Sequence, residues 1–199
     1  MKSVVLLSGG VDSTVSLAWA LANQHSPVAL SVDYGQRHRR ELDSAAKVAQ
    51  HYGVQHTIVK LDPVLFGGSA LTGSVPVPDG AATEPDETYV PARNTVLLAL
   101  AAAHAESLRA RAIVIGSNKD DSTAYPDCRP SYLHAFRNVL NEGTVGHVWV
   151  MAPFINLKKA DVITWGQRWN APLDLTWSCY RGGETPCGTC GACITRGTL

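Results

Sequence analysis

Residues Ser8, Gly9, Gly10, Val11, Asp12, Ser13 and Thr14 follow directly on the apolar run Val4-Val5-Leu6-Leu7. A short run rich in β-branched residues reads as a buried strand. Two glycines then permit a tight turn with positive φ and a close approach of backbone to a ligand. Asp12, Ser13 and Thr14 suit the opening of a helix, which Val15-Ser16-Leu17-Ala18 continues. Strand, glycine turn and helix N-terminus together offer free N–H groups at the positive end of a helix dipole. The chemistry that fits is the holding of a phosphate or pyrophosphate. The segment has neither the GxxxxGKS/T of a Walker A loop nor the GxGxxG of a dinucleotide site. The plain alternative is an ordinary glycine turn.

A second chemical cluster is Cys179, Cys187, Cys190 and Cys193, spaced by seven, two and two residues. Two residues between cysteines let two thiolates face one ion across a tight knuckle, and Pro186, Gly188 and Gly191 suit such turns. Four thiolates match tetrahedral zinc with no open catalytic position, so Zn2+ is expected to be structural, one per chain. An iron–sulfur cluster and unliganded reduced thiols are the alternatives.

Three further segments carry polar residues beside apolar runs. Asp33, Tyr34 and Gln36 follow the run 28–32, where the tyrosine and glutamine could stack on and hydrogen-bond a purine; a turn leading into a helix is the alternative. Arg93 and Asn94 begin an alanine-rich helix, and a cation there is unfavourable unless an anion lies nearby. Tyr125-Pro126-Asp127-Cys128-Arg129-Pro130 is a stiff segment in which Asp127 and Arg129 either pair with each other or read a polar planar substrate.

The elements that must position these groups are legible as alternating patterns. Strands are expected at 3–7, 28–32, 57–60, 112–116 and 147–151, and helices at 12–24, 37–52, 92–108, 131–142 and 158–168. Such alternation predicts βαβ units, a mostly parallel five-stranded sheet and helices on both faces. Ligands then bind outside the C-terminal ends of the strands, where Gly9, Asp33 and Gly116 converge. Residues 62–91, rich in Gly, Pro, Asp and Thr, are read as an active-site lid. The expected organisation is an α/β domain over 1–169 that carries the phosphate loop, with a zinc-binding segment, 170–199, packed on it.

Lysine plus arginine equals aspartate plus glutamate, 17 against 17, so no overall basic field invites stable nucleic-acid binding. No apolar stretch approaches the ~18 residues a membrane span needs. The strand-like beginning is not read as a secretory signal, and five cysteines then point to metal or catalysis in a cytoplasmic setting.

SGGVDST resembles the PP-loop of the ATP pyrophosphatase superfamily, whose members cleave ATP between its α- and β-phosphates and adenylate a carboxylate or carbonyl oxygen. SGGVDST together with DYGQRHR, YVPARNT, YPDCRP and TWSCYRGGETPCGTCGAC resembles the 7-cyano-7-deazaguanine synthase family over essentially the whole chain. The resemblance implies an adenine nucleotide alpha hydrolase-like fold, a structural zinc and, often, a homodimer. It implies an ATP-dependent ligase that converts 7-carboxy-7-deazaguanine and ammonia into the nitrile 7-cyano-7-deazaguanine, for queuosine and related 7-deazapurines.

On that resemblance Ser8 to Thr14 hold ATP with Asp33, Tyr34 and Gln36, and Lys159 contacts phosphate. Asp12 is expected to ligate Mg2+, and Lys159 and Arg93 to neutralise developing charge. Arg93, Asn94, Tyr125, Asp127 and Arg129 are expected at the deazapurine, while the Cys128 thiol is expected to be packed rather than nucleophilic. The family usually has an aromatic, a serine and a glycine where this chain has Ser122, Thr123 and Ala124, which bears on substrate recognition. Two rival readings stand beside this one: another PP-loop amidating or tRNA-modifying enzyme, and a non-catalytic zinc module.

Overall fold

The computed structural model describes residues 1–80 and 87–197. Five strands form one parallel sheet in the order β3-β2-β1-β4-β5: β1 (Lys2–Leu6), β2 (Ser26–Asp33), β3 (His56–Lys60), β4 (Ala112–Val114) and β5 (Trp149–Met151). The helices are α1 (Val11–Ala22), α2 (Arg40–His51), α3 (Arg93–Ser107), α4 (Lys119–Ala124), α5 (Pro130–Gly143), α6 (Lys159–Arg168) and α7 (Gly191–Arg196).

Side chains alternate across a strand, and β1 shows what that dictates. Val4 and Leu6 face a layer built by Leu98, Ala101 and Ala105 of α3 with Leu133, Phe136 and Leu140 of α5. Val5 and Leu7 face the other layer, with Leu17 and Ala20 of α1 and Ala45, Val48 and Ala49 of α2. Because β1 is buried on both faces, it reads as a continuous apolar run. Val4 and Val5 are 0% exposed, and each such side chain contributes about 1.5–3 kcal/mol on burial. The small face of α3 follows helical spacing, with Leu98, Ala101, Ala102 and Ala105 all buried.

The chain runs outward from β1 to β2 and β3, then returns to build β4 and β5 on the other side. The order therefore reverses between β1 and β4, and the crevice beyond their C-terminal ends is where ligands bind in such sheets. α6 packs on α1 through Val11, Val15, Phe154, Val162 and Leu173, which brings the first turn of α6 to the first turn of α1.

The long segment 62–91 differs from the expected lid. Its residues 81–86 lie outside the described residues. Among those described, Pro63–Phe66 is a 3-10 turn, and Phe66, Ala70, Leu71, Val77 and Val90 are buried against Val32, Tyr34, Cys179 and Cys190. The Arg37 side chain donates to the carbonyl of Val75, and Gly80 forms a β-bridge with Cys190. This part is a buttress that joins the end of β2 to the C-terminal cysteines. The tail is likewise core material, since Cys179 and Cys190 are 1% and 0% exposed. Among the described residues no helix is long and apolar enough to cross a membrane.

Candidate active site

The turn after β1 is built for an anion. Gly10 caps α1 in extended conformation with no side-chain hydrogen bond, so among the described residues no side chain caps the first N–H groups of the helix. Ser8 Oγ accepts from Gly10 N–H at 3.2 Å, and Ser13 Oγ donates to Gly10 O at 3.0 Å, which fixes the loop. Gly9 has φ +89°, and a Cβ there would lie 2.0 Å from the Glu41 carbonyl oxygen. Gly116, just past β4, comes so close that a Cβ would lie 2.9 Å from Asp12 C and Ser13 N. Both glycines are required by close backbone approach.

A cavity of about 250 Å3 opens on this turn. Lys159, first residue of α6, bonds Asp12 Oδ2 through its Nζ. The other oxygen of Asp12, Oδ1, is buried with no hydrogen-bond partner among the described residues. Asp121 joins them in the cavity wall, accepting from Asn118 Nδ2 at 2.8 Å. Burial, then the charge of Asp12, push the Asp121 carboxyl up to about 7. Asn118 caps α4 by accepting from the N–H groups of Asp120 and Asp121.

Arg93 lines the same cavity. Its guanidinium donates to Tyr34 Oη at 3.2 Å and lies 6.0 Å from that ring's centre. Among the described residues no carboxylate pairs with it; the ion pairs found there are His38–Glu41, Arg39–Asp33, Lys159–Asp12 and Arg181–Asp79. Burial opposes its charge, but Tyr34, Cys128 and Tyr180 together outweigh this and Arg93 stays protonated. A half-buried arginine without a carboxylate partner among the described residues is suited to receive an anion. His38 and Glu41, 3.1 Å apart, complete the polar lining together with Tyr125, and Trp177 and Tyr180 supply aromatic surface.

The four cysteines of the tail come together. Their sulfurs all lie within 4.8 Å of one another, and Cys187 Sγ is 3.9 Å from Cys193 Sγ. Backbone N–H groups point at the sulfurs, Cys190 N to Cys187 Sγ and Cys187 N to Cys179 Sγ, each at 3.4 Å. Burial raises the Cys187 thiol, but the N–H groups of Cys190 and Thr189 prevail and bring it down to about 6, favouring the thiolate a metal needs. The set forms a site able to hold one metal ion.

With this geometry, the chain's relatives decide its family. The model of the family described as queuosine biosynthesis protein QueC matches residues 2–198. The 7-cyano-7-deazaguanine synthase of Thermoplasma acidophilum is 46% identical over 203 residues, covering 98% of this chain and 85% of its own. That of Acetivibrio thermocellus is 48% identical over 204 residues, covering 98% of this chain and 90% of its own. The chain belongs to the QueC family. The U34-tRNA thiolase NcsA from Methanococcus maripaludis, solved with its 4Fe-4S cluster, has the same fold at a TM-score of 0.55. It is 20% identical, over 86% of this chain and 58% of that one, a likeness of fold alone.

In this QueC chain Ser8, Gly10, Val11, Asp12, Ser13, Tyr34, Arg93, Asn94, Tyr125 and Lys159 share the cavity lining. The other expected residues stand elsewhere. Gly9 is turned into the contact with α2, and Thr14 is 0% exposed. Asp33 is held by Arg39 at 2.7 Å and by Gly35 N–H. Gln36, 1% exposed, accepts from Tyr34 N–H and donates to Val32 O and Glu41 Oε1, so it braces the turn from behind. Asp127 does not pair with Arg129, which is exposed; its Oδ2 accepts from Asn94 N–H at 2.9 Å and caps α3, whose own N-cap Ala92 is left-handed and offers no side-chain bond.

Ser122 Oγ donates to the Lys119 carbonyl and Ala124 is buried, so neither is among the cavity's lining residues. Sequence reasoning missed Asp121, His38, Glu41, Trp177 and Tyr180. Asn118 followed three residues later by Asp121 is a helix-start signal that would have found α4.

Proposed function

We propose that this chain is a 7-cyano-7-deazaguanine synthase, converting 7-carboxy-7-deazaguanine, ammonia and ATP into the nitrile through two adenylations. The observation that carries this reading is the meeting, in one cavity, of an uncapped helix N-terminus, Lys159 and the carboxylate-free Arg93, in a chain whose relatives over nearly its full length bear that name.

A carboxylate is a poor electrophile because oxide is a poor leaving group, and adenylation makes AMP the leaving group instead. The N–H groups of the phosphate loop hold the triphosphate, Arg93 receives the substrate carboxylate, and Lys159 neutralises charge on the α-phosphate as pyrophosphate departs. Ammonia then displaces AMP to give the amide. Adenylation of the amide oxygen and loss of a second AMP leave the nitrile. Tyr34, Asn94 and Tyr125 lie where the planar base and the nucleotide would stack and bond, while Asp127 and Asp33 serve from behind.

Asp12, with its unpartnered Oδ1, fits a Mg2+ that would supply neutralisation of phosphate oxygens. The cysteine site fits Zn2+. A single ion about 2.3 Å from each sulfur sets them about 3.8 Å apart in a tetrahedron, close to the Cys187–Cys193 spacing, whereas a cluster's irons and sulfides hold its cysteines wider. On this reading the zinc is structural, residues 170–199 are a metal-pinned part of the same domain, the reduced cysteines suit a cytoplasmic setting, and a homodimer follows from the family resemblance alone.

Incubation with ATP, ammonium chloride and 7-carboxy-7-deazaguanine, followed by mass spectrometry, tests the proposal. AMP together with nitrile is expected. ATP turnover independent of the acid, with no nitrile formed, overturns the substrate assignment.

A further inference from the structure

The mechanism above leaves His38 unused. The residue is 3% exposed and is among those that line the cavity. Nε2 lies 3.1 Å from Glu41 Oε2, and Oε1 of the same carboxylate accepts from Gln36 Nε2 at 3.0 Å. Gln36 is fixed in turn by Tyr34 N–H and the Val32 carbonyl, so Glu41 is held in one orientation. A carboxylate only accepts, so Nε2 donates to it, and in the neutral imidazole Nδ1 then holds the lone pair. Tyr180 packs on the imidazole with ring centres 5.7 Å apart.

That Nδ1 is buried and has no hydrogen-bond partner among the described residues. A buried acceptor without a donor costs free energy, and beside a ligand cavity it marks a place where a bound group completes it. An imidazole in reach of a cavity, aligned by a carboxylate that is itself clamped, is the arrangement of an activated general base.

The reaction creates a need for one. The nitrogen enters as ammonia with three hydrogens and leaves as a nitrile with none. One proton goes after the nitrogen lone pair bonds to the acyl carbon and AMP takes away the C–O electrons. A second goes when the amide oxygen attacks the α-phosphorus and the N–H pair becomes part of a C=N bond. The third goes when AMP departs again and the last N–H pair completes the triple bond. Ammonium, the form ammonia takes at neutral pH, must shed a proton even before the first step. We infer that His38 Nδ1 is the base that takes these protons from the substrate nitrogen and passes them to solvent, with Glu41 as its positioning residue. The inference rests on the synthase reading.

The test separates adenylation from nitrogen chemistry. Acid-dependent exchange of labelled pyrophosphate into ATP reports the first; amide and nitrile formation report the second. With ammonia, His38→Asn is expected to lower the ratio of nitrogen incorporation to exchange by about 10²–10⁴-fold. Hydroxylamine, uncharged at neutral pH, is expected to restore most of the capture of the acyl adenylate, as the hydroxamate. Glu41→Gln, which keeps the shape of the side chain, is expected to show the same pattern more weakly, and it carries the comparison alone if His38→Asn does not fold. Equal loss of exchange and nitrogen incorporation overturns the inference, as does a raised KM for the acid with the ratio intact. Absence of acid-dependent exchange in the unmodified protein overturns the synthase reading instead.

Discussion

Lys159 Nζ bonds Asp12 Oδ2, tying the first turn of α6 to the first turn of α1 beside the phosphate loop. The two residues stand 147 positions apart, and both are partly buried, 16% and 19% exposed. The pair holds a cation beside the glycine loop and fixes a carboxylate whose second oxygen has no hydrogen-bond partner among the described residues.

Lys159→Met leaves Asp12 beside Asp121 with no cation between them. Stability is expected to fall by about 1–3 kcal/mol, between the values for surface and buried pairs. Acid-dependent pyrophosphate exchange is expected to fall by about 10²–10³-fold. Asp12→Asn should lose exchange to a similar degree. Thermal melting and exchange rates check both, and the double variant should lose less than the sum, because the two act as one unit.

Asp121 makes stability depend on pH. Its carboxyl is pushed up to about 7 in the folded chain, above the ordinary value, by burial and then by Asp12. Between the unfolded and folded values the native state binds the extra proton, so stability falls as pH rises from about 4 to about 7 and levels off above that. Asp121→Asn removes the penalty. Its melting-temperature gain over wild type should be near zero at pH 4 and largest at pH 8, as scanning calorimetry would show.

The cysteine site should hold about one zinc per colourless chain, as plasma mass spectrometry and the visible spectrum would report. A brown protein would point to an iron–sulfur cluster. Cys190 is 0% exposed and its segment bridges to Gly80, so Cys190→Ser or strong chelation should destabilise the tail and the buttress together, by several kcal/mol on the scale of structural metal sites.

Asp127 caps α3 through Asn94 N–H, and its backbone carbonyl accepts from Asn94 Nδ2. Asp127→Ala should lower stability by about 1–2 kcal/mol, the usual range for a lost cap, measured by urea unfolding. A change in KM for the acid with stability intact would return Asp127 to the direct substrate contact expected from its motif.

Cys128 accepts from Asn94 Nδ2 at 3.2 Å, and burial, then Asp121, push its thiol up to about 12. A protonated thiol is a poor nucleophile. Cys128→Ser should keep nitrile formation within about tenfold of wild type, against losses of orders of magnitude when a covalent nucleophile is removed. A trapped acyl-enzyme at this residue would contradict that.

The central strands β1, β2 and β4 were legible because their apolar runs are buried on both faces, while the half-exposed edges β3 and β5 showed as shorter apolar runs; the five found overlap those expected at 3–7, 28–32, 57–60, 112–116 and 147–151. The phosphate loop was legible because its chemistry is local: glycines, strand and helix start lie in seven consecutive residues. α4 and α7 were hidden, since six-residue helices carry too little periodicity to stand out. The walls of the site were less visible. Asp33 and Gln36 follow a strand end, but neighbours in space take up their polar atoms, and only packing decides whether a side chain faces in or back. Trp177 and Tyr180 reach the cavity through tertiary folding alone. His38 and Glu41 sit three apart, a spacing that sequence does show, yet their relation to a cavity is set by Gln36 and the tail.

The bridge from Gly80 to Cys190 and the place of Trp177, Tyr180, Ala192 and Thr195 in the cavity wall have a consequence for biogenesis. On a ribosome, β1 and the glycine loop after it emerge long before the wall formed by 177–195. The pocket wall therefore stays incomplete until 177–195 have emerged. The order of the chain thus puts completion of the pocket wall after assembly of the sheet.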